Sequence, residues 1–278
     1  MKVTLSCLAC LAMLAITATV GYADEEEEHH HAHFDVSPEL VGGKIVTDGI
    51  THAIEFNPFT EVEHHDEFHR YFAPNMRVFT FELGEDPLLP TSVDHPGINN
   101  EGGTAKDAGG NDVVTDGTGL PLGSTLSIVI LSDLLYWDET GFIAVRDSET
   151  MEIDYNTGTR TAGTGTGALS PLPVKTFTDD DHVHLHLVAT LLDESSLTDS
   201  ATPGVYMIEA LLQSNDSGVA DSDPFWLLYG YGLTDEHELH EAEHWVEVNL
   251  VPEPTALALL GAGGVVCLAG RRRRGQGR

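Results

Sequence analysis

Apolar positions in the central part of the chain recur at every second residue in short runs, the spacing of a β-strand with one buried face. Such runs occur at 33–36 (HFDV), 43–47 (GKIVT), 77–83 (RVFTFEL), 124–131 (STLSIVIL) and 142–147 (FIAVRD). Four more follow at 182–192 (HVHLHLVATLL), 204–213 (GVYMIEALLQ), 224–231 (PFWLLYGY) and 244–250 (HWVEVNL). Stretches rich in Gly, Asp, Asn, Ser and Thr separate them, the longest at 99–123 and 156–170, and their composition reads as polar loop. Only 59–72 and 235–245 carry a helical pattern. Strands at this spacing without alternating helices predict an all-β fold, an antiparallel β-sandwich with long polar loops.

The two ends have a different pattern. Lys2 precedes an apolar run over about 5–20, with small residues at Gly21 and Ala23. This predicts a secretory signal peptide over 1–23. An acidic, His-rich tail follows over 24–32, and the ectodomain is expected over 33–250. At the C-terminus, Pro252-Glu253-Pro254 precedes sixteen apolar or small residues, 255–270, and the cluster Arg271 to Arg274. A helix of that length spans about 24 Å, close to a bilayer core, and the arginines mark its cytoplasmic end. These three parts in this order, over 251–278, resemble the PEP-CTERM sorting signal of Gram-negative bacteria. The resemblance implies export to the cell surface or extracellular matrix, membrane attachment through the C-terminal helix, and processing of the tail in the membrane by an exosortase.

Charge and cysteine usage narrow the chemistry. Cys7, Cys10 and Cys267 all lie in the two address segments, so the ectodomain has neither disulfide nor thiolate ligand to offer. Outside those segments seven basic residues face forty-four acidic ones, a balance of about −37. Such a surface repels phosphates, which argues against a nucleic-acid partner and favours cations or hydration.

The candidate chemistry is in the histidines. His182, His184 and His186 alternate with Val183, Leu185 and Leu187, so a strand places the three imidazoles on one face. Two imidazoles at that spacing can converge on one cation, with Asp180 or Asp181 as acceptor for the remaining ring N–H. Neutral imidazole suits zinc or another transition metal. Further clusters stand at His29, His30, His31 and His33, at His64, His65 and His69, and at His237, His240 and His244. The stretch His240 to His244 has the form H-E-x-x-H, but it is short, intensely acidic and close to the anchor, which disfavours a metalloprotease. A cupin-type site lacks its carboxylate, since Val188, Ala189, Thr190 and Leu191 occupy the relevant positions.

His182-Val183-His184 followed by Pro203-Gly204-Val205-Tyr206, with an upstream "HFDV", resembles the bacterial surface-anchored domains described as choice-of-anchor M. His186 and Leu187 depart from that family's pattern. The resemblance implies an exported zinc-handling protein and puts His33 and Asp35 in register with the family's opening strand. The expected site is therefore His33, Asp35, His182, His184 and His186 around a zinc ion, in a non-enzymatic capture or storage protein processed by signal peptidase and exosortase. The alternative is an acidic matrix or surface structural protein with incidental metal binding. Three histidines with a carboxylate would close a storage site, whereas three ligands and a water would leave a hydrolytic one.

Overall fold

Most of the β-branched and aromatic runs become strands. The computed structural model describes residues 34–53, 56–57, 62–63, 69–84, 91–106, 111–115, 117–146, 148–179, 181–193, 201–235 and 237–251. The expected signal peptide, the His-rich tail, the anchor segment after 251, His33, His64, His65 and Asp180 lie outside the described residues. The strands in chain order are β1 (Asp35–Val41), β2 (Lys44–Ala53), β3 (Phe56–Asn57), β4 (Val62–Glu63), β5 (His69–Ala73), β6 (Val78–Leu83) and β7 (Ser92–Val93). Next come β8 (Gly97–Asn100), β9 (Gly103–Lys106), β10 (Asp112–Thr115), β11 (Thr125–Ile130), β12 (Leu135–Trp137), β13 (Phe142–Ala144) and β14 (Glu149–Tyr155). The last are β15 (Gly158–Ala162), β16 (Leu172–Thr176), β17 (Val183–His186), β18 (Val188–Asp193), β19 (Gly204–Ser214) and β20 (Phe225–Tyr231), followed by helix α1 (His237–Asn249).

Three sheets carry the fold. The first runs β10-β9-β5-β2-β1-β8-β17, the second β13-β12-β19-β11-β16 with β20 and β6 joined through β19, and the third β15-β14-β18-β7. Most pairs are antiparallel, as expected, but β1 with β8, β5 with β9 and β6 with β20 are parallel, so the first two sheets are mixed. The main core is built from alternate residues of these sheets, among them Val36, Ile98, Ile128, Met151, Leu185, Ile208 and Phe225.

Four expectations are corrected. Residues 62–63 and 69–72, inside the stretch expected as a helix over 59–72, are in strands, and β5 pairs with β2 from Gly49↔Ala73 to Ala53↔His69. Pairing with an existing strand overrides the helical spacing there. Conversely, 244–250 is not a strand: α1 runs on through Asn249, because Leu239, Ala242 and Val246 recur on one helical face and are buried. The polar stretches 99–123 and 156–170 carry β9, β10 and β15, the last closing a hairpin across Asn156 and Thr157. Finally, the run 182–192 is not one strand. β17 pairs with β8 in the first sheet, the chain turns at Leu187, and β18 pairs with β14 and β7 in the third. The Leu187 N–H donates to the Pro96 carbonyl at 3.1 Å at that corner.

The Pro203-Gly204-Val205-Tyr206 segment has a structural purpose. The Tyr206 hydroxyl donates to the Thr202 carbonyl four residues upstream, at 2.6 Å, which is the arrangement of a tyrosine corner in a β-sandwich. Gly204 has φ +145°, and a Cβ there would sit 2.6 Å from the Tyr136 ring. Acidic side chains also serve the fold. Asp133 accepts N–H bonds from Gly165 and Gly167, which hold its carboxyl below the usual carboxylate range. Asp223 joins Lys44 of β2 and Arg77 ahead of β6.

Candidate functional site

Register places the paired histidines. In β17, His184 lies opposite Asn99 and His186 opposite Gly97, while Leu185 faces Ile98. On the far side of β8, Val36 of β1 pairs with Ile98. The row Val36, Ile98, Leu185 is buried, so the next rows, Asp35–Gly97–His186 and Ser37–Asn99–His184, share the opposite face of the sheet. Val183 and Leu185 are buried and His184 and His186 exposed, the alternation expected for this strand.

The two imidazoles lean together across their 6–7 Å strand spacing. Their ring centroids are 5.5 Å apart and their Nε2 atoms 3.4 Å apart. Each ring is held from behind through Nδ1. His184 Nδ1 lies 2.9 Å from Glu101 Oε1, and His186 Nδ1 lies 3.0 Å from the Asp94 carbonyl oxygen. A carboxylate and a carbonyl only accept, so both Nδ1 atoms carry the hydrogen, and in each neutral ring Nε2 is the lone-pair atom. Two lone pairs aimed at one another repel. The contact is stable when a cation, either a proton or a metal ion, lies between them.

Beside the pair stand groups from the turn before β8 and from β1, β6 and β8. His95 is stacked on Phe81, centroids 5.2 Å apart and planes 8° apart, and its centroid is 5.7 Å from that of His186. His95 Nδ1 is 3.6 Å from Asp35 Oδ1. Asp35 is buried and lies over Gly97, where any Cβ would fall inside its carboxyl group. Asn100, also buried, donates from Nδ2 to the Pro38 and Gly117 carbonyls at 2.8 and 3.0 Å, fixing β8 against β1.

Of the five residues singled out in the sequence, the structure brings His184 and His186 into contact. Asp35 shares their face but turns to His95. His182 lies ahead of β17, beside Asp181 and Gly117. His33 lies outside the described residues. The acceptor role expected of Asp181 goes elsewhere, since its carboxylate accepts the Gly119 N–H at 2.8 Å. Glu101 and the Asp94 carbonyl take it. Sequence reasoning missed His95 and Glu101; the clue for His95 was Asp94-His95-Pro96-Gly97, a turn signal ahead of a strand. Among the described residues no group of three or more His, Cys, Asp or Glu is arranged to hold an ion.

Helix α1 presents His237, His240 and His244 to solvent, with side chains 69–78% exposed and each beside a glutamate of its own helix. The H-E-x-x-H form at 240–244 thus sits on an open surface, unlike the buried helix of a metalloprotease. A cleft of about 480 Å³ near the start of α1 is lined by Glu82, Leu83, Gly230, Gly232, Leu233, Thr234 and Asp235 and holds no His.

Among the described residues no helix is long and apolar enough to cross a membrane. Comparison with curated proteins finds no match. Residues 250–274 match the PEP-CTERM protein-sorting motif. The chain therefore carries the address of an exported, membrane-associated surface protein sorted by an exosortase.

Proposed function

We propose that this protein is a non-enzymatic metal-binding protein of a Gram-negative cell surface or matrix, with His184 and His186 as the two nitrogen ligands of a zinc ion. Signal peptidase removes 1–23, and the segment after 251 spans the membrane until exosortase acts. The observation that carries the metal reading is the 3.4 Å between the two Nε2 atoms. Two bonds of about 2.0–2.1 Å at a tetrahedral angle put ligand nitrogens about 3.3–3.4 Å apart. The second supporting feature is the pair of acceptors behind the rings, which fix the tautomer a metal needs. Half-exposed imidazoles leave the remaining coordination positions open to water, which suits reversible capture better than a closed structural site.

Equilibrium dialysis of the chelator-stripped full chain in detergent tests the proposal. Stoichiometric uptake of zinc in the micromolar range, lost in a His184→Ala, His186→Ala double variant, supports it. Uptake that is only weak, or equal in the double variant, leaves the acidic matrix protein as the reading that stands.

A further inference from the structure

Helix α1 stops at Asn249 and the sorting motif begins at Leu250, with no spacer between them. Leu250 and Val251 pack against the second apolar cluster, formed by Trp137, Met207, Trp226 and their neighbours. Their backbone N–H groups both donate to the Val246 carbonyl, at 2.8 and 3.2 Å. Asn249 closes the same turn by donating from Nδ2 to the Trp245 carbonyl at 2.8 Å. The first two residues of the motif are therefore part of the packed domain.

An enzyme that recognises a peptide segment uses its backbone N–H groups and alternate side chains. While α1 is seated, two of those N–H groups are engaged by Val246 and two of the side chains face the sheet. We propose that α1 is a latch on the sorting motif: exosortase reads the motif when the last turn of α1 has lifted from the second sheet. Trp245 is the clasp, edge-on to Trp137 at 5.9 Å and to Phe142 at 5.7 Å between ring centroids. A thirteen-residue helix is marginal by itself in water, so its seating depends on this packing. Weakening the clasp loosens the latch while leaving the main core of the other sheets intact. A newly exported chain would in this way remain unprocessed longest when its domain is best packed.

The inference rests on the sorting reading of the motif, and the test separates the two. The full chain is followed by pulse–chase in membranes that contain the exosortase, scoring processed against unprocessed protein. Trp245→Ala is expected to raise the processing rate severalfold. Inserting Gly-Ser-Gly-Ser between Asn249 and Leu250, which keeps both helix and motif, is expected to raise it as much, and combining the two should add nothing. An insertion variant processed at the parent rate overturns the latch, and one processed more slowly overturns it in favour of a domain that helps to dock the enzyme. A Pro252→Ala, Pro254→Ala variant remains unprocessed if the motif is what is read. Processing of that variant at the parent rate removes the sorting reading itself.

Discussion

The Tyr206 hydroxyl lies 2.6 Å from the Thr202 carbonyl and 3.3 Å from Glu149 Oε1, tying the start of β19 to the turn before it and to β14. Glu149 is itself buried and accepts the Thr202 N–H at 2.9 Å. Tyr206→Phe keeps the ring but strips the Thr202 carbonyl of its hydroxyl donor, while Glu149 Oε1 keeps the Thr202 N–H. The expected cost is about 1–3 kcal/mol, measured as a shift in urea midpoint with unchanged slope.

Gly97→Ala tests the other close approach. A methyl group there collides with the Asp35 carboxyl, which must swing away from His95. Loss of stability is expected together with loss of zinc uptake, because residue 97 lies between Asp35 and His186 in the same row. Normal zinc affinity in a folded Gly97→Ala protein would show that the Asp35 side of the face has no part in positioning His186.

Glu101→Gln replaces the acceptor behind His184 with a group that can offer the ring either an oxygen or an N–H. If Glu101 orients the imidazole, zinc affinity falls by about 10–100-fold, while the urea midpoint moves little. Glu247→Gln on α1 serves as the control and should leave zinc affinity within error of the parent.

The pH dependence of stability has two opposed limbs. Burial pushes the Glu243 carboxyl above its ordinary value of 4.5. The folded state therefore holds its proton more tightly, the cost of ionising it is complete above the folded pKa, and stability rises as pH falls through that value. Lys44 and Arg77 hold Asp223 below its ordinary 3.8, so its contribution is present above that value and is lost as pH falls through the folded pKa. Between the folded pKa of Asp223 and that of Glu243 neither contribution is lost. Chemical unfolding across pH in chelator should show Glu243→Gln flattening the neutral limb and Asp223→Asn the acid limb. Relief of whole-chain repulsion also acts on the neutral limb, so the comparison is variant against parent.

Much of this molecule was legible along the chain. The β composition, the exposed alternation of His184 and His186, the polar surface and the sorting address each depend on residues close in sequence. The misreadings share one cause. The spacing in 59–72 suits a helix, and 244–250 can be read as a strand, until neighbours are known; β2 recruits β5, and the second apolar cluster recruits Leu239, Ala242 and Val246. The turn at Leu187 was equally invisible, because Val183 to Leu192 alternates without a break while the sheets on either side do not.

The sequence by itself determined which residues offer nitrogen ligands, where they alternate with core residues, and which segment carries the export signal, since periodicity and motif order are local properties. Only the tertiary structure decided which of those imidazoles meet. Convergence of His184 and His186, with Glu101 and Asp94 behind them, requires β8 to lie beside β17. That pairing joins segments more than eighty residues apart, and hydrophobic period cannot name a partner at such distance. The tertiary structure likewise decided that Leu250 and Val251 belong at once to the motif and to the packed domain.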